Sequence, residues 1–191
     1  MSAMEPIRDK KQIQQLAEYF LNRRQLRNYV LLILATHTAL RISDLLCLSW
    51  NDVFDSVSRT IRSHITLTER KTNKVKIVAI NKQATKALLL YYPHKRGDYV
   101  FSNNRKIPRA ISRVQAWRII NTAVKAVGIR KKVGCHGLRK SWGYHAWTSG
   151  KVSPFVIMEI FNHSNYETTR RYLGITQDDL DRAYLCLSLT G

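Results

Sequence analysis

Six side chains in this sequence together suit chemistry on a phosphate ester. They are two arginines, one lysine, two histidines and one tyrosine: Arg41, Lys71, His136, Arg139, His163 and Tyr172. Phosphoryl transfer spreads negative charge over the phosphate oxygens, so fixed cations are the main catalytic resource that a protein can supply. A tyrosine is a poor nucleophile near its ordinary pKa of ~10. Cationic neighbours would favour the phenolate and make it a better one.

Each of these residues also has a simpler explanation when it is taken alone. Arg41 follows a helical pattern, where a cation commonly meets the helix dipole, although a guanidinium between Leu40 and Ile42 favours a fixed anion as partner. Lys71 has the pattern of a solvated lysine at the tip of a hairpin. Tyr172 is one of nine tyrosines, and a tyrosine half in the core is common.

The two histidines differ in what their spacing implies. His136 and Arg139 are three residues apart on a predicted helix and therefore share a face, although a His-x-x-Arg pair often occurs by chance. His163 and Tyr172 would lie about 13 Å apart in one continuous helix, too far to share a phosphate. We therefore expect His163 in the turn before the helix that carries Tyr172.

The charge of the chain points to a polyanionic partner. Lys and Arg total 32 against 13 Asp and Glu, a net charge of +19, and no acidic residue occurs from Tyr99 to Met158. Nucleic acid is the commonest such partner. A membrane is disfavoured, because the basic residues are spread over several elements and the longest apolar run, Val30 to Ala35, is too short to span a bilayer. No aromatic-rich motif favours RNA.

The cysteine pattern and the chain length limit which classes of protein remain possible. Cys47, Cys135 and Cys186 are an odd number without metal-type spacing, which predicts free thiols in a reducing cytosol. No carboxylate cluster suits Mg²⁺, and the first residues of the sequence do not have the pattern of a signal peptide. We expect one domain over residues 1–191, with residues 1–3 as an expression scar and with neither a metal nor another cofactor.

Apolar residues at helical spacing predict a mostly helical α+β fold. N-cap residues and terminal glycines bound these helices, which are expected at about 9–20, 25–40, 43–48, 81–92, 110–127, 136–149, 154–161, 166–173 and 177–187. Two-residue alternation between Arg59 and Ile80 predicts a β-hairpin with Asn73 in its turn. The hairpin is the one small antiparallel sheet expected.

Four segments resemble the motifs of the tyrosine recombinase, or phage integrase, family. They read TALRISDL around Arg41, TERKTNK around Lys71, HGLRKS from His136, and FNHSNYETTRRYL ending just after Tyr172. The resemblance extends from about Ile7 to Tyr184. Two departures are Asn162, where the family usually has glycine, and Lys140, where it often has histidine.

The resemblance implies a reaction and a role for each candidate. Tyr172 would attack the scissile phosphate, leaving a 3′-phosphotyrosine and a free 5′-hydroxyl, and a second 5′-hydroxyl would then religate the strand without ATP or metal. Arg41 and Arg139 would hold the nonbridging oxygens. His163 would add a hydrogen bond to the same phosphate. Lys71 would protonate the leaving oxygen. His136 would assist removal of the proton from the tyrosine.

The resemblance also implies partners. They are double-stranded DNA, further protomers in a tetramer on paired sites, and accessory DNA-bending proteins, in a phage or mobile-element setting. An apolar stripe of Leu180, Tyr184, Leu185 and Leu187 favours docking of the C-terminal segment on a neighbouring protomer. Because the sequence begins almost directly at the catalytic motifs, the family's core-binding and arm-binding domains are expected to be absent. The alternatives are a catalytically silent DNA-binding module and DNA relaxation of the type IB topoisomerase kind.

Overall fold

A computed structural model describes residues 4–186 of the chain. The chain divides into two compact units, the first ending at Trp142 and the second beginning at Gly143. The first unit contains α1 (Lys10–Asn22), α2 (Leu26–His37), α3 (Ile42–Leu45), α4 (Trp50–Val53), β1 (Phe54–Asp55), β2 (Thr60–Ile61), β3 (His64–Thr68), β4 (Val75–Ala79), α5 (Lys82–Tyr91), a 3₁₀ turn (Tyr92–His94) and α6 (Arg113–Ala126). Helix α7 (Cys135–Thr148) runs from the first unit into the second. The second unit continues with α8 (Pro154–Phe161), α9 (Tyr166–Leu173) and α10 (Gln177–Leu185).

Helix α2 lies at the centre of the first unit. Every residue from Val30 to Thr36 is buried, and the helix packs against α1 and α5. The helix is therefore surrounded by core and is apolar on all sides. Helix α1 buries Leu16 and Phe20.

The end of α2 determines where Arg41 lies. The helix stops at His37, and Ala39 has a φ of 54°, a left-handed conformation that reverses the chain. The predicted continuation of this helix to Leu40 is therefore wrong. The next helix begins at Ile42 with Arg41 at its N-cap, not with Ser43, and it ends at Leu45, short of the predicted Leu48.

The predicted β-hairpin is confirmed over a shorter range. Strands β3 and β4 pair antiparallel, with Ile65 opposite Val78 in the core, and Asn73 has a φ of 55° in the turn. Thr60 and Ile61, which we predicted to belong to the same hairpin, pair instead with β1. The small sheet is therefore two separate two-stranded sheets, and the prediction of one sheet is wrong.

Helix α6 begins three residues later than predicted. Ala110 forms a β-bridge with Ser102, and Ser112 caps the helix by accepting a hydrogen bond from the Gln115 N–H. Gly128 follows the helix with a φ of 76°, as predicted for its closing residue.

The second unit follows the sequence prediction closely. Ser153 caps α8, and Gly174 ends α9 in a left-handed conformation. Thr176 and Asp179 form a capping box at the start of α10. Tyr184 and Leu185 of the predicted apolar stripe are exposed, whereas Leu187 lies outside the described residues.

One glycine determines the packing inside this unit. A Cβ on Gly143 would lie 2.7 Å from two ring atoms of Phe161 and 3.3 Å from Leu173. Real side chains do not approach this closely, so only glycine lets α7 lie against these residues of α8 and α9. Within residues 4–186, no helix combines the length and the apolar character that crossing a bilayer requires.

Candidate active site

A cleft of about 690 Å³ in the first unit brings together four of the six predicted residues. Its lining includes Arg41, Lys71, His136 and Arg139. They come from the N-cap of α3, the β3–β4 turn and the first turns of α7. Side chains that are far apart in the sequence therefore face one space of a size suited to a phosphodiester and its neighbours.

Arg41 is held in this cleft by a buried carboxylate. Its Nη1 lies 2.6 Å from Oε1 of Glu69, whose side chain is 1% exposed, and Lys76 Nζ lies 3.6 Å from the same oxygen. Thr72 Oγ1 donates to the other carboxylate oxygen, Oε2, at 2.8 Å. This short ion pair with a buried carboxylate restrains the position of the guanidinium.

The hairpin that carries Lys71 is fastened to α3 by a second acid. Asp44 of α3 is buried and its Oδ1 accepts a hydrogen bond from the Arg70 N–H at 3.1 Å. Glu69 also closes the turn, donating from its N–H to Lys74 O and accepting from the Asn73 N–H, both at 2.9 Å. The turn is thus held at the cleft, while the Lys71 side chain itself is exposed.

Helix α7 presents His136 and Arg139 from one face, as their spacing predicted. Arg139 is 2% exposed. The helix is attached to the N-terminal segment, because the Ile7 N–H donates to Ser141 Oγ at 2.7 Å. A Cβ on Gly137 would lie 2.5 Å from the Glu5 carbonyl oxygen, so the glycine of the His-Gly-Leu-Arg motif permits this close approach.

The cleft keeps His136 neutral. Burial, together with the positive charges of Lys140, Arg139, Arg41 and Lys71, lowers the pKa of His136 from 6.5 to about 4. A neutral imidazole can accept a proton at physiological pH. The ring is therefore unprotonated at physiological pH, as a general base must be, and four cations lie close enough to act on it.

Two lysines near the site respond to the same surroundings. Burial lowers the pKa of Lys76, as does the charge of Arg139, while Glu69 opposes the shift. Burial also lowers the pKa of Lys140. Clustered cations repel one another, and the Glu69 carboxylate is the group that offsets this repulsion at Arg41 and Lys76.

Thiols complete the lining of the cleft. Cys47 accepts a contact from Arg70 Nη1 at 3.2 Å, and burial raises the pKa of the Cys135 thiol to about 11. Cys47, Cys135 and Cys186 are all thiols, as predicted. Among residues 4–186, no group of three His, Cys, Asp or Glu side chains lies as metal ligands do.

The other two predicted residues lie together in the second unit. His163 is in the turn between α8 and α9, as its distance from Tyr172 required, and the two rings are 4.9 Å apart between centroids. Asn162 makes this turn with a φ of 54°, so asparagine adopts the left-handed conformation there without glycine.

Packing and a hydrogen bond orient these two rings. Phe161, which is fully buried, lies 4.8 Å from the Tyr172 ring and 5.3 Å from the His163 ring. His163 Nδ1 is 3.0 Å from Thr169 Oγ1, which directs the imidazole. The turn therefore presents an imidazole and a phenol side by side.

Glu69 is a site residue that we did not predict. It is the only acidic residue between Asp55 and Asp98, and that isolation in a basic stretch is the signal that could have identified it. Acidic side chains are seldom fully buried unless a cation pairs with them. A lone carboxylate close to Lys71 therefore indicates a buried counter-charge. Lys76, on the adjacent strand, carried no comparable signal.

Known proteins resemble this chain over nearly its whole length. The model of the phage integrase family matches residues 8–178. The probable integrase/recombinase YoeC of Bacillus subtilis is 36% identical over 185 residues, which is 96% of this chain and 97% of YoeC.

Solved structures show the same fold at lower identity. The crystal structure of XerA recombinase has a TM-score of 0.77 at 24% identity and covers 97% of this chain. XerH site-specific recombinase, bound to its palindromic difH substrate after cleavage, has a TM-score of 0.74 at 18% identity and covers 92%. The chain spans 66% of the XerA chain and 51% of the XerH chain.

Proposed function

The chain belongs to the phage integrase family, and from this membership we propose that it is a tyrosine recombinase that cuts and rejoins double-stranded DNA at specific sites. The observation that carries the proposal is the cleft that gathers Arg41, Lys71, His136 and Arg139. Cations fixed in advance around a phosphate stabilise the charge that develops during phosphoryl transfer. A basic cleft also suits the backbone of duplex DNA.

In the proposed reaction, the scissile phosphate lies in the cleft with its nonbridging oxygens on Arg41 and Arg139. The Tyr172 hydroxyl attacks phosphorus, forming the Tyr–O–P bond and breaking the bond to the 5′-oxygen. His136, which is neutral at physiological pH, accepts the phenol proton, and Lys71 donates a proton to the departing 5′-oxygen. His163 adds a hydrogen bond to the phosphate.

Religation reverses these steps with a second strand. A 5′-hydroxyl attacks the phosphotyrosine, the P–O bond to Tyr172 breaks, and the phenol regains its proton. The number of phosphodiester bonds is unchanged, so the reaction needs no ATP. The two arginines and the lysine supply the positive charge that the transition state requires, and the histidines supply a proton acceptor and a hydrogen bond, so we propose that neither metal nor cofactor takes part.

The assembly proposed for this reaction is a tetramer on two paired DNA sites, with the C-terminal segment docked on a neighbouring protomer. The exposure of Tyr184 and Leu185 supports that docking, because exposed apolar side chains at a chain end favour a covering partner. Sedimentation on DNA tests it: four protomers per two duplexes are expected. Deleting residues 184–191 should leave single-site binding and lower assembly.

The reaction is tested with a suicide substrate, a duplex nicked beside the cleavage site. After cleavage, the short strand end with the free 5′-hydroxyl diffuses away, so the covalent intermediate cannot religate. The wild-type chain should form a protein–DNA adduct that survives denaturant. The Tyr172→Phe variant should form none, while the matched variant Tyr166→Phe, on the first turn of the same helix, should form as much as wild type. An adduct in Tyr172→Phe, or none in wild type bound to DNA, would contradict the proposal.

A further inference from the structure

A second basic cleft lies in the first unit, apart from the residues of the candidate active site. It has a volume of about 660 Å³ and contains three arginines, Arg24, Arg27 and Arg96, and we call it the arginine cleft. His94 and Tyr91 also line it, with no Asp or Glu among the lining residues. Three guanidinium groups around one space repel one another unless an anion joins them.

Arg27 is the fixed member of the cleft. Its Nη1 donates to the carbonyl oxygen of Ser102 at 2.7 Å, and its Nε and Nη2 reach Asn28 Oδ1 at 3.3 and 3.1 Å. Burial lowers its pKa. Protein groups therefore hold this cation in place before any ligand arrives, which reduces the entropy lost on binding.

Arg24 and Arg96 are the exposed members. Arg24 lies on the tight turn after α1, where the Gln25 N–H donates to Phe20 O at 2.9 Å. Within residues 4–186, neither guanidinium makes a hydrogen bond or an ion pair. These two side chains remain available to an anion.

A basic loop adjoins both clefts at its base, where Ser102 accepts a hydrogen bond from Arg27 of the arginine cleft. The Ser102–Ala110 bridge closes the loop, and the Asn103 N–H donates to Arg109 O at 2.7 Å. Asn104 lines the arginine cleft, while Ala110, on the paired segment, lines the active-site cleft. The exposed basic residues of the loop are Arg105, Lys106 and Arg109.

This order of basic groups suits a long polyanion better than a small one. Duplex DNA carries one charge per about 1.7 Å of its axis, so a strand crossing the active site continues onto neighbouring surface. We propose that the arginine cleft binds backbone phosphates of the DNA that flanks the scissile phosphate, with the Ser102–Ala110 bridge between the two contacts. The inference rests on the proposed function, since it takes DNA as the ligand of the active-site cleft.

The proposed contact would set the register of the DNA, that is, which of its phosphates lies in the active-site cleft. Phosphate contacts position a protein on DNA without reading its sequence. A second contact at a fixed distance from the active site would determine which phosphate enters the active-site cleft. Its loss should weaken binding and lower the accuracy of cleavage while leaving the chemical step unchanged.

The test uses Arg24→Gln with Arg96→Gln, since neither side chain bonds to described protein groups and folding is spared. The probe is a duplex carrying the cleavage site, and its affinity is measured against salt concentration. Each lost phosphate contact reduces the slope of log K on log salt by about 0.9, so the double variant should reduce it by about two. Lys10→Gln with Lys11→Gln removes the same charge from exposed residues of α1 and should change the slope by less than half as much.

Shortening the duplex from either end identifies the phosphates. The double variant and wild type should bind equally once the flank that faces the arginine cleft has been removed, and should differ again when it is restored. A slope equal to wild type, a slope no lower than that of the lysine control, or a difference that persists at every length would overturn the inference. The inference would also be overturned if the double variant lost binding of tripolyphosphate while its slope of log K on log salt for DNA stayed unchanged. The cleft would then bind a free phosphate compound.

The outcome is separable from that of the proposed function. DNA affinity is measured without cleavage, so a wild-type chain that binds DNA and forms no Tyr172 adduct would contradict the recombinase proposal alone. A wild-type chain that forms the adduct, while the double variant binds like wild type, would contradict the arginine cleft alone.

Discussion

Glu69 and Arg41 form the ion pair on which the candidate active site is built, with 2.6 Å between Oε1 and Nη1. The carboxylate is buried and the guanidinium lines the cleft. Because the same carboxylate contacts Thr72 and Lys76, the pair also joins the Lys71 hairpin to α3. Glu69 is therefore a positioning residue, which acts on a phosphate only through Arg41.

Replacing Glu69 with Gln should lower the cleavage rate about 10- to 100-fold, since small misplacements of a catalytic group have effects of that order. The difference in cleavage rate between wild type and Glu69→Gln should be smaller on a methylphosphonate substrate. That substrate lacks the nonbridging charge that Arg41 neutralises. Thr72→Val removes a hydrogen bond to the same carboxylate and retains the pair, so it should lose less than threefold. Equal losses of Glu69→Gln on both substrates would point to a general folding defect.

Lys71 is expected to protonate the leaving 5′-oxygen. A general acid contributes about 10²- to 10⁴-fold, so Lys71→Ala should slow cleavage by that order. A substrate with sulfur in place of the 5′-bridging oxygen needs no such proton, because a thiolate is a good leaving group. The variant should cleave this substrate at close to the wild-type rate, and Lys74→Ala, in the same turn, should be normal on both. Failure of the sulfur substrate to restore the rate would remove Lys71 from this role.

The low pKa of His136 makes stability depend on pH in a defined direction. The folded pKa is about 4, below the ordinary 6.5, so between these values the unfolded chain binds a proton that folded His136 does not. The contribution is fully present above pH 6.5 and is lost as pH falls towards 4. Denaturant titrations at pH 7 and pH 5 should show a smaller fall in unfolding free energy for His136→Gln than for wild type. An equal fall in both would mean that His136 titrates normally.

Gly143 should resist substitution although it lies in a helix. Helix propensity alone would favour alanine by about 1 kcal/mol, but the new methyl would meet the Phe161 ring, and overpacking a core costs about 1–3 kcal/mol. Gly143→Ala should therefore destabilise the chain and reduce adduct formation, because Phe161 contacts the Tyr172 ring. Adding Phe161→Leu removes the ring that the methyl meets and should recover part of the lost stability. A Gly143→Ala chain as stable and active as wild type would show that the core adapts freely.

Local signals predicted the helices well. Asp9, Asn81, Ser153 and Ser112 are capping residues in the structure, with side chains that accept backbone N–H groups, and the first three lie at or just before the predicted starts of their helices. Such bonds form within a few residues, so they can be read from the sequence. Ser112 was missed because the apolar pattern extends back to Ala110, which pairs with Ser102 instead.

Features that depend on distant residues were not predicted. Strands of two residues, such as β1 and β2, carry no alternation to detect. An alanine with positive φ at Ala39 is uncommon, and it moved the end of α2 and the position of Arg41. The contact of Glu69 with Arg41 joins two separate motifs, and only the isolation of that acid in a basic stretch indicated it.

The site itself was predicted by residue type and motif rather than by geometry. The structure gathers Arg41, Lys71, His136 and Arg139 in one cleft and sets His163 beside Tyr172. Their individual roles remain predictions, as does the organisation of the chain as one catalytic domain.

The identity of the nucleophile is tested most directly by locating the covalent DNA. After the suicide reaction, nuclease trims the DNA to a short oligonucleotide, and trypsin cleaves beside each arginine and lysine. The fragment 172–182 contains Tyr172 as its only tyrosine, whereas Tyr144, Tyr166 and Tyr184 fall in other fragments. The nucleotide mass is expected on fragment 172–182, attached to Tyr172. The same mass on any other fragment, or on another residue of this one, would contradict the proposed mechanism.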